Sequence, residues 1–259
     1  MSITTLFLIK LIVTVLFVLI LSLLAEYVSP KVSGIISGIP TGTAIILFFY
    51  GLEQGTKFAS ESSLFNIVGM LSMQVFIYLY FRASTKNSKL NIILSSLIAT
   101  IGYIIIIFLL RQFQFNLVAA IIIPIISIPL FSYLFKRISD STIKNKVKLG
   151  PKVLFIRAIA ASIVILFLTS IAQLIGPKWA GLLSAFPTTL FPLILIIHNT
   201  YGKEKVHTII KNVPKGQWSM VLYAISVFFL YPLLGVYLGT LVSYAFVIIY
   251  LLLLFKFFS

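Results

Sequence analysis

The sequence predicts an all-α membrane protein: nine transmembrane helices, arranged as two inverted four-helix repeats joined by a connecting helix. Three observations carry this prediction. First, hydrophobic residues make up 60% of the 259 residues and charged residues 10%, with a mean hydropathy of +1.14. Uncharged apolar runs of about twenty residues recur, each long enough at ~1.5 Å per residue to cross a ~30 Å hydrocarbon core. Second, residues 30–43, PKVSGIISGIPTGT, return as residues 177–190, PKWAGLLSAFPTTL, at an offset of 147 residues. Pro30/Pro177, Lys31/Lys178, Gly34/Gly181, Ser37/Ser184, Pro40/Pro187 and Thr41/Thr188 are identical pairs. Third, an apolar run without a repeat partner separates the two copies.

Taken in order, charge-free runs place spans at 3–26, 32–52, 63–81 and 90–110 in the first repeat. The run 115–135 is the connector, and 153–175, 179–199, 216–236 and 238–257 form the second repeat. In lipid every backbone N–H and C=O must find a partner within the chain, so these runs are helices. The first lacks a basic leader and an Ala-x-Ala-like cleavage site, and reads as a retained helix rather than a signal peptide. Pro124 and Pro129 kink the connector without forbidding it, because neighbouring helices can satisfy the freed carbonyls. The resulting units are residues 1–111, a connecting helix with its basic loop at 112–152, and residues 153–259. An odd helix between two four-helix units turns the second upside down.

The charges agree with that inversion. Nine spans place 15 of the 20 basic residues on one side, in clusters such as Arg82, Lys86 and Lys89 and the loop from Lys136 to Lys152. Only Lys57, Arg111 and Lys178 fall on the other side, while Lys10 and Arg157 lie within spans. Without a spanning connector the division falls to 13 against 5 and strands the apolar run 115–135 outside the bilayer. By the positive-inside rule the N-terminus is outside and the C-terminus cytoplasmic, in a cell (plasma or inner) membrane. The net charge of +15 is scattered through loops between spans, which favours membrane orientation over a nucleic-acid partner. The chain has no cysteine, which excludes disulfides and thiolate metal sites.

Pro40 and Pro187 fall near the middle of their spans, where proline removes an N–H and clashes with the carbonyl four residues back. Small and hydroxyl residues surround them, including Ser37, Thr41 and Thr43 in one copy and Ser184, Thr188 and Thr189 in the other. Such a break leaves backbone groups and hydroxyls facing inward at membrane depth, the pattern of a substrate site built from discontinuous helices. The half-helices starting near Thr41 and Thr188 would aim their positive dipole ends at it. Close helix packing through small residues is the competing reading, and the two are compatible. Lys10 and Arg157 are repeat mates. Either they snorkel to the headgroups, or they form a symmetric pair of anion-attracting positions. Glu26 and its mate Gln173 precede the Pro-Lys turns, and an ion pair of Glu26 with Lys31 is the default reading. Glu53, Glu61, Asp140 and Glu204 read as loop residues. His198 reads as a hydrogen-bonded helix-end residue, with gating as the alternative.

The stretch Ala180-Gly181-Leu182, Phe186-Pro187-Thr188, His198 and Trp218-Ser219 resembles the GlpM-type bacterial inner-membrane proteins. These are single four-helix units carrying AGL-x₃-FPT, a following His, a WS pair and an early basic residue, matched here by Arg157 and Lys10. The resemblance covers 153–257, and the first unit departs from it at Ile39, Gly51 and Leu71. Some members look like dual-topology proteins that pair antiparallel, so the resemblance implies a fused, inverted descendant. It implies no substrate.

Three function classes remain. A transporter or channel for a small anionic or neutral polar solute fits best, because no carboxylate stands in mid-membrane. A membrane scaffold or assembly factor is the alternative, and flipping of an anionic lipid carrier is a variant of the first. An enzyme is disfavoured: two histidines and no clustered carboxylates leave few groups for acid–base or metal catalysis, and no cofactor is implied.

Overall fold

The computed structural model describes residues 8–16, 19–20, 40–138 and 151–258, and every regular element among them is helical. Of the candidate residues, Ser37 and Glu26 lie outside the described residues, as does Asp140. After the helical residues 8–16 come α1 (Thr41–Gln54), α2 (Thr56–Ala83), α3 (Lys89–Arg111) and α4 (Leu117–Phe135). They are followed by α5 (Pro151–Ser184), α6 (Leu190–Tyr201) and α7 (Lys203–Phe258). Among the described residues five helices are long and apolar enough to cross a membrane: α2, α3, α4, and the stretches Leu154–Ser184 and Lys203–Leu253 of α5 and α7.

Two of these long helices double back. Gly176 in α5 has φ 74° and ψ 168°, and Gly235 in α7 has φ 75° and ψ 176°, both in the region that only glycine adopts readily. A straight helix would hold Arg157 and Thr189 ~48 Å apart at ~1.5 Å per residue. Instead the Arg157 Nε donates to the Thr189 carbonyl at 3.3 Å. Likewise the Tyr250 hydroxyl donates to the Lys215 carbonyl at 3.3 Å across the Gly235 turn. The turns between α1 and α2 and between α6 and α7 also hinge on glycine. Gly55 and Gly202 have φ 92° and φ 85°, and they stand 147 residues apart.

At the centre stands α2, packed against α1, α3, α4, α5 and α7. Its spanning window is 67% buried, against 22% for that of α3, which makes α2 the axis of the bundle. Met70, Met73, Phe76 and Ile77 on α2 join Leu193, Ile194 and Ile197 of α6 and Phe131 and Phe135 of α4 in the largest apolar cluster. The outer faces are apolar too: Leu97, Ile101 and Ile105 of α3 and Leu241, Ile248 and Leu252 of α7 are exposed. That surface suits hydrocarbon as the solvent, where apolar side chains outside cost nothing. The connector α4 forms despite Pro124 and Pro129, capped by Asn116, whose side chain accepts from the Ala119 N–H at 2.9 Å.

Three acidic residues read as loop are helical. Glu53 is in α1, Glu61 in α2 and Glu204 in α7, because α2 begins at Thr56 rather than 63 and α7 at Lys203 rather than 216. The early part of α7 is amphipathic. Val206, Ile209, Ile210 and Val213, spaced i, i+3, i+4 and i+7, are buried, while Lys205 and Lys211 lie on the wetter side. Charge ends a membrane span without ending a helix, so charge-free runs mark hydrocarbon rather than helix length.

Candidate functional site

The second proline-containing segment is a true discontinuity, and at the first a helix starts directly after Pro40. α5 ends at Ser184 and α6 begins at Leu190, with Pro187 between them. The Thr188 N–H turns back to the Phe186 carbonyl at 2.7 Å, and the first bond of α6 runs from the Phe191 N–H to the Pro187 carbonyl at 2.8 Å. In the first copy the Ala44 N–H donates to the Pro40 carbonyl at 2.8 Å, opening α1 at the matching position. Neither helix start is capped by the side chain of its N-cap residue, Pro40 or Thr189. The first N–H groups of a helix have no partner within it, so both starts place a positive dipole end in a buried place.

The two breaks meet. A Cβ added to Gly42 would lie 1.9 Å from the Thr188 Oγ1, so only a glycine lets the second break come this close. Thr43 donates from Oγ1 to the Ser184 carbonyl at 3.4 Å. Pro40, Thr41, Thr43, Ser184, Pro187, Thr188 and Thr189 are all buried, so every described member of the proposed substrate set lies in one enclosed place. α2 closes it from the side. The Asn66 Nδ2 donates to the Ser184 Oγ at 2.7 Å, which donates to the Gly181 carbonyl at 2.7 Å. Asn66 and Ser62, one helical turn apart, are fully buried, yet the Asn66 Oδ1 and the Ser62 Oγ have no hydrogen-bond partner among the described residues. Buried polar atoms normally find one.

From this meeting point α1 and α6 diverge. The Tyr50 ring of α1 packs 5.6 Å from Phe58, near the start of α2. The His198 Nδ1 of α6 is 2.9 Å from the Tyr80 hydroxyl, near the end of α2. α2 has 28 residues and is therefore ~42 Å long at ~1.5 Å per residue. The helices thus leave the breaks toward opposite ends of the bundle.

The charged candidates are used unequally. Lys10 is buried and forms an ion pair with Glu53, donates to the Thr169 Oγ1 at 3.0 Å, and sits 5.7 Å over the Phe49 ring. Arg157 is equally buried but reaches the α6 break, through the Thr189 carbonyl. Burial takes both side chains away from the surface, and their contacts among the described residues include Glu53 and Thr169 for Lys10 and the Thr189 carbonyl for Arg157. Gln173 is exposed and takes no part in the site.

His198 is 1% exposed. Its Nε2 lies 3.1 Å from the Lys86 carbonyl, which can only accept, so Nε2 carries a proton and Nδ1 accepts from Tyr80 in the neutral ring. Nearby, the His207 Nε2 is 2.8 Å from the Ser84 Oγ, and the Lys203 N–H donates to the Asn87 Oδ1 at 2.7 Å. The residues 84–88 are thereby clamped to the start of α7. Among the described residues, no three His, Cys, Asp or Glu side chains gather closely enough to hold a metal ion.

Glu53, Asn66, Ser62 and Tyr80 belong to this arrangement and were not singled out from the sequence. The run SSLFNIVGMLSMQ did carry a signal: a cluster of hydroxyls and amides in a membrane helix marks function or polar helix contact. Comparison of the chain with protein-family models, curated proteins and solved structures finds no match.

Proposed function

We propose that this chain is a multi-pass membrane transporter whose substrate site lies near the bilayer midplane, where the two proline-broken helices meet. In this reading the nine-helix count and the inverted four-helix repeats hold, and the chain is a fused, inverted pair of GlpM-type units in a plasma or inner membrane. Its substrate is a small anionic or neutral polar group, held by helix-start N–H groups and hydroxyls. It is not an enzyme. The observation that carries the reading is the contact of Gly42 with Thr188 beside the Asn66 Oδ1, which has no hydrogen-bond partner among the described residues: two helix starts, repeat-related in sequence, converge on buried polar atoms. Inverted repeats with substrate at discontinuous helices recur among secondary transporters, because the two copies can exchange conformations of similar energy.

Flux is the direct test. The protein reconstituted in liposomes should move at least one member of a panel of anions, sugars, amino acids and anionic lipids, and Thr41→Val with Thr188→Val should abolish that movement. No flux of any of them in the wild type, with the valine variants unchanged in cells, overturns the reading. The orientation is tested separately. Cysteines at positions 57, 113 and 178 should label from outside in intact cells and a cysteine at position 86 should not, and the opposite pattern would invert the topology.

A further inference from the structure

A groove of about 680 Å³ runs between α3 and α6 on the apolar outer surface. At one end stand Lys89 and Asn199, and at the other Thr100 and Phe191. From Lys89 to Thr100 it covers ~16 Å at ~1.5 Å per residue, about the depth of one leaflet. Phe191 is the second residue of α6. Its ring packs 5.1 Å from Phe76 and 5.9 Å from Phe186, which lies in the break itself. The groove therefore leads from a basic face to an aromatic barrier against the break.

A second groove repeats the first. It lies between α1 and the last part of α7, has a volume of about 240 Å³, and is lined by Ala44, Phe48, Thr240 and Tyr244 with Ile45 and Val13. Ala44 and Phe191, Phe48 and Leu195, Ile93 and Thr240, and Leu97 and Tyr244 each stand 147 residues apart. Because α1 and α6 diverge from the breaks, the two grooves run toward opposite ends of the bundle. They differ in two respects. Val13, from the helical residues 8–16, helps fill the second groove, and the positions matching Lys89 and Asn199 are Val236 and Leu52.

We propose that the substrate is a phosphate-bearing membrane lipid, which enters sideways through the α3/α6 groove from the leaflet on the basic face and leaves through the α1/α7 groove. The proposal rests on the reading of the two breaks as a transport site and names what that site carries. An occupant of the first groove must be apolar along one leaflet's depth. Its headgroup must suit Lys89 and Asn199, with Lys86 and Lys203 close by and Glu204 the acid beside Gly202. A lipid phosphate meets both demands, and a free solute meets only the second. At the break it would find the positive dipole ends of two helix starts, a common setting for phosphate. The larger first groove and smaller second groove describe one state of an alternating cycle.

Binding and movement are measured apart. In native mass spectrometry the wild type should retain phosphatidylglycerol in preference to phosphatidylcholine. Lys89→Gln should reduce that preference about fivefold, the effect of one interfacial basic residue. Leu97→Trp, filling the groove, should abolish retention, while Ile105→Trp on the exposed face of the same helix should not, which controls for folding. Excess inorganic phosphate should not compete. Equal retention of both lipids, or no effect of Leu97→Trp when Ile105→Trp is also silent, overturns the groove as a lipid site. In liposomes, fluorescent phosphatidylglycerol should change leaflets with the wild type and not with Leu97→Trp. Retention without movement, alongside uptake of a soluble solute, overturns the lipid as substrate and leaves the transport reading standing. Absence of every flux, lipid or solute, overturns that reading instead.

Discussion

Lys10→Met lowers the stability of the folded protein by about 3–5 kcal/mol, the cost of breaking a buried ion pair by removing one partner. The Lys10 and Glu53 side chains are 6% and 12% exposed, so neither charge is well solvated. In the variant the Glu53 carboxylate loses its cation within an apolar cluster that contains Phe49 and Tyr50. The double variant Lys10→Met with Glu53→Leu should recover most of the loss, because an apolar pair of similar volume is often neutral or better than a buried ion pair. Unfolding in detergent, by denaturant titration, measures all three proteins. A single variant as stable as wild type would show that the pair is not enclosed as described. The pair ties the helical residues 8–16 to α1 and, through Thr169, to α5. Its loss should therefore also loosen Val13, which closes the second groove.

Gly42→Ala should separate the two breaks and abolish transport. The added Cβ would fall 1.9 Å from the Thr188 Oγ1, a distance no packing adjustment of a few tenths of an ångström relieves. Overpacking of this kind costs about 1–3 kcal/mol. Thr188→Ala in the same chain removes the clashing oxygen and leaves the Thr188 Cβ, at 3.3 Å, as the nearest atom. Most of the stability should then return, and the coupling between the two substitutions measures their contact. Activity should not return with it, since the Thr188 hydroxyl is part of the proposed site. Strict additivity of the two stability effects would place the breaks apart.

Pro40 and Pro187 announced their breaks because proline withholds a donor whatever surrounds it. The pairing of the two segments was legible from the shared offset, and Thr41, Thr43, Ser184, Thr188 and Thr189 beside the prolines are buried. Glu53 was read as a loop residue because the charge-free run ends at 52, whereas α1 continues to Gln54 and its partner Lys10 lies 43 residues away. Asn66 and Ser62 carried a signal of their own, yet without charge they did not stand out from an apolar run. His198 was placed correctly at a helix end, but its partners Tyr80 and the Lys86 carbonyl come from another helix and its loop.

By itself the sequence determined that the chain is helical with several apolar helices of membrane length, the helix starts beside the two prolines and the duplicated segment, because backbone hydrogen bonding in lipid, proline chemistry and repetition along the chain are local properties. Only the tertiary structure decided that the breaks touch, that Lys10 is matched by Glu53 while Arg157 reaches a break, and that two grooves of unequal size lie along repeat-related faces. Those features depend on which helix faces which neighbour and how closely. In an apolar solvent that choice rests on small residues and a few polar contacts, such as Gly42 on Thr188 and Asn66 on Ser184, rather than on hydrophobicity.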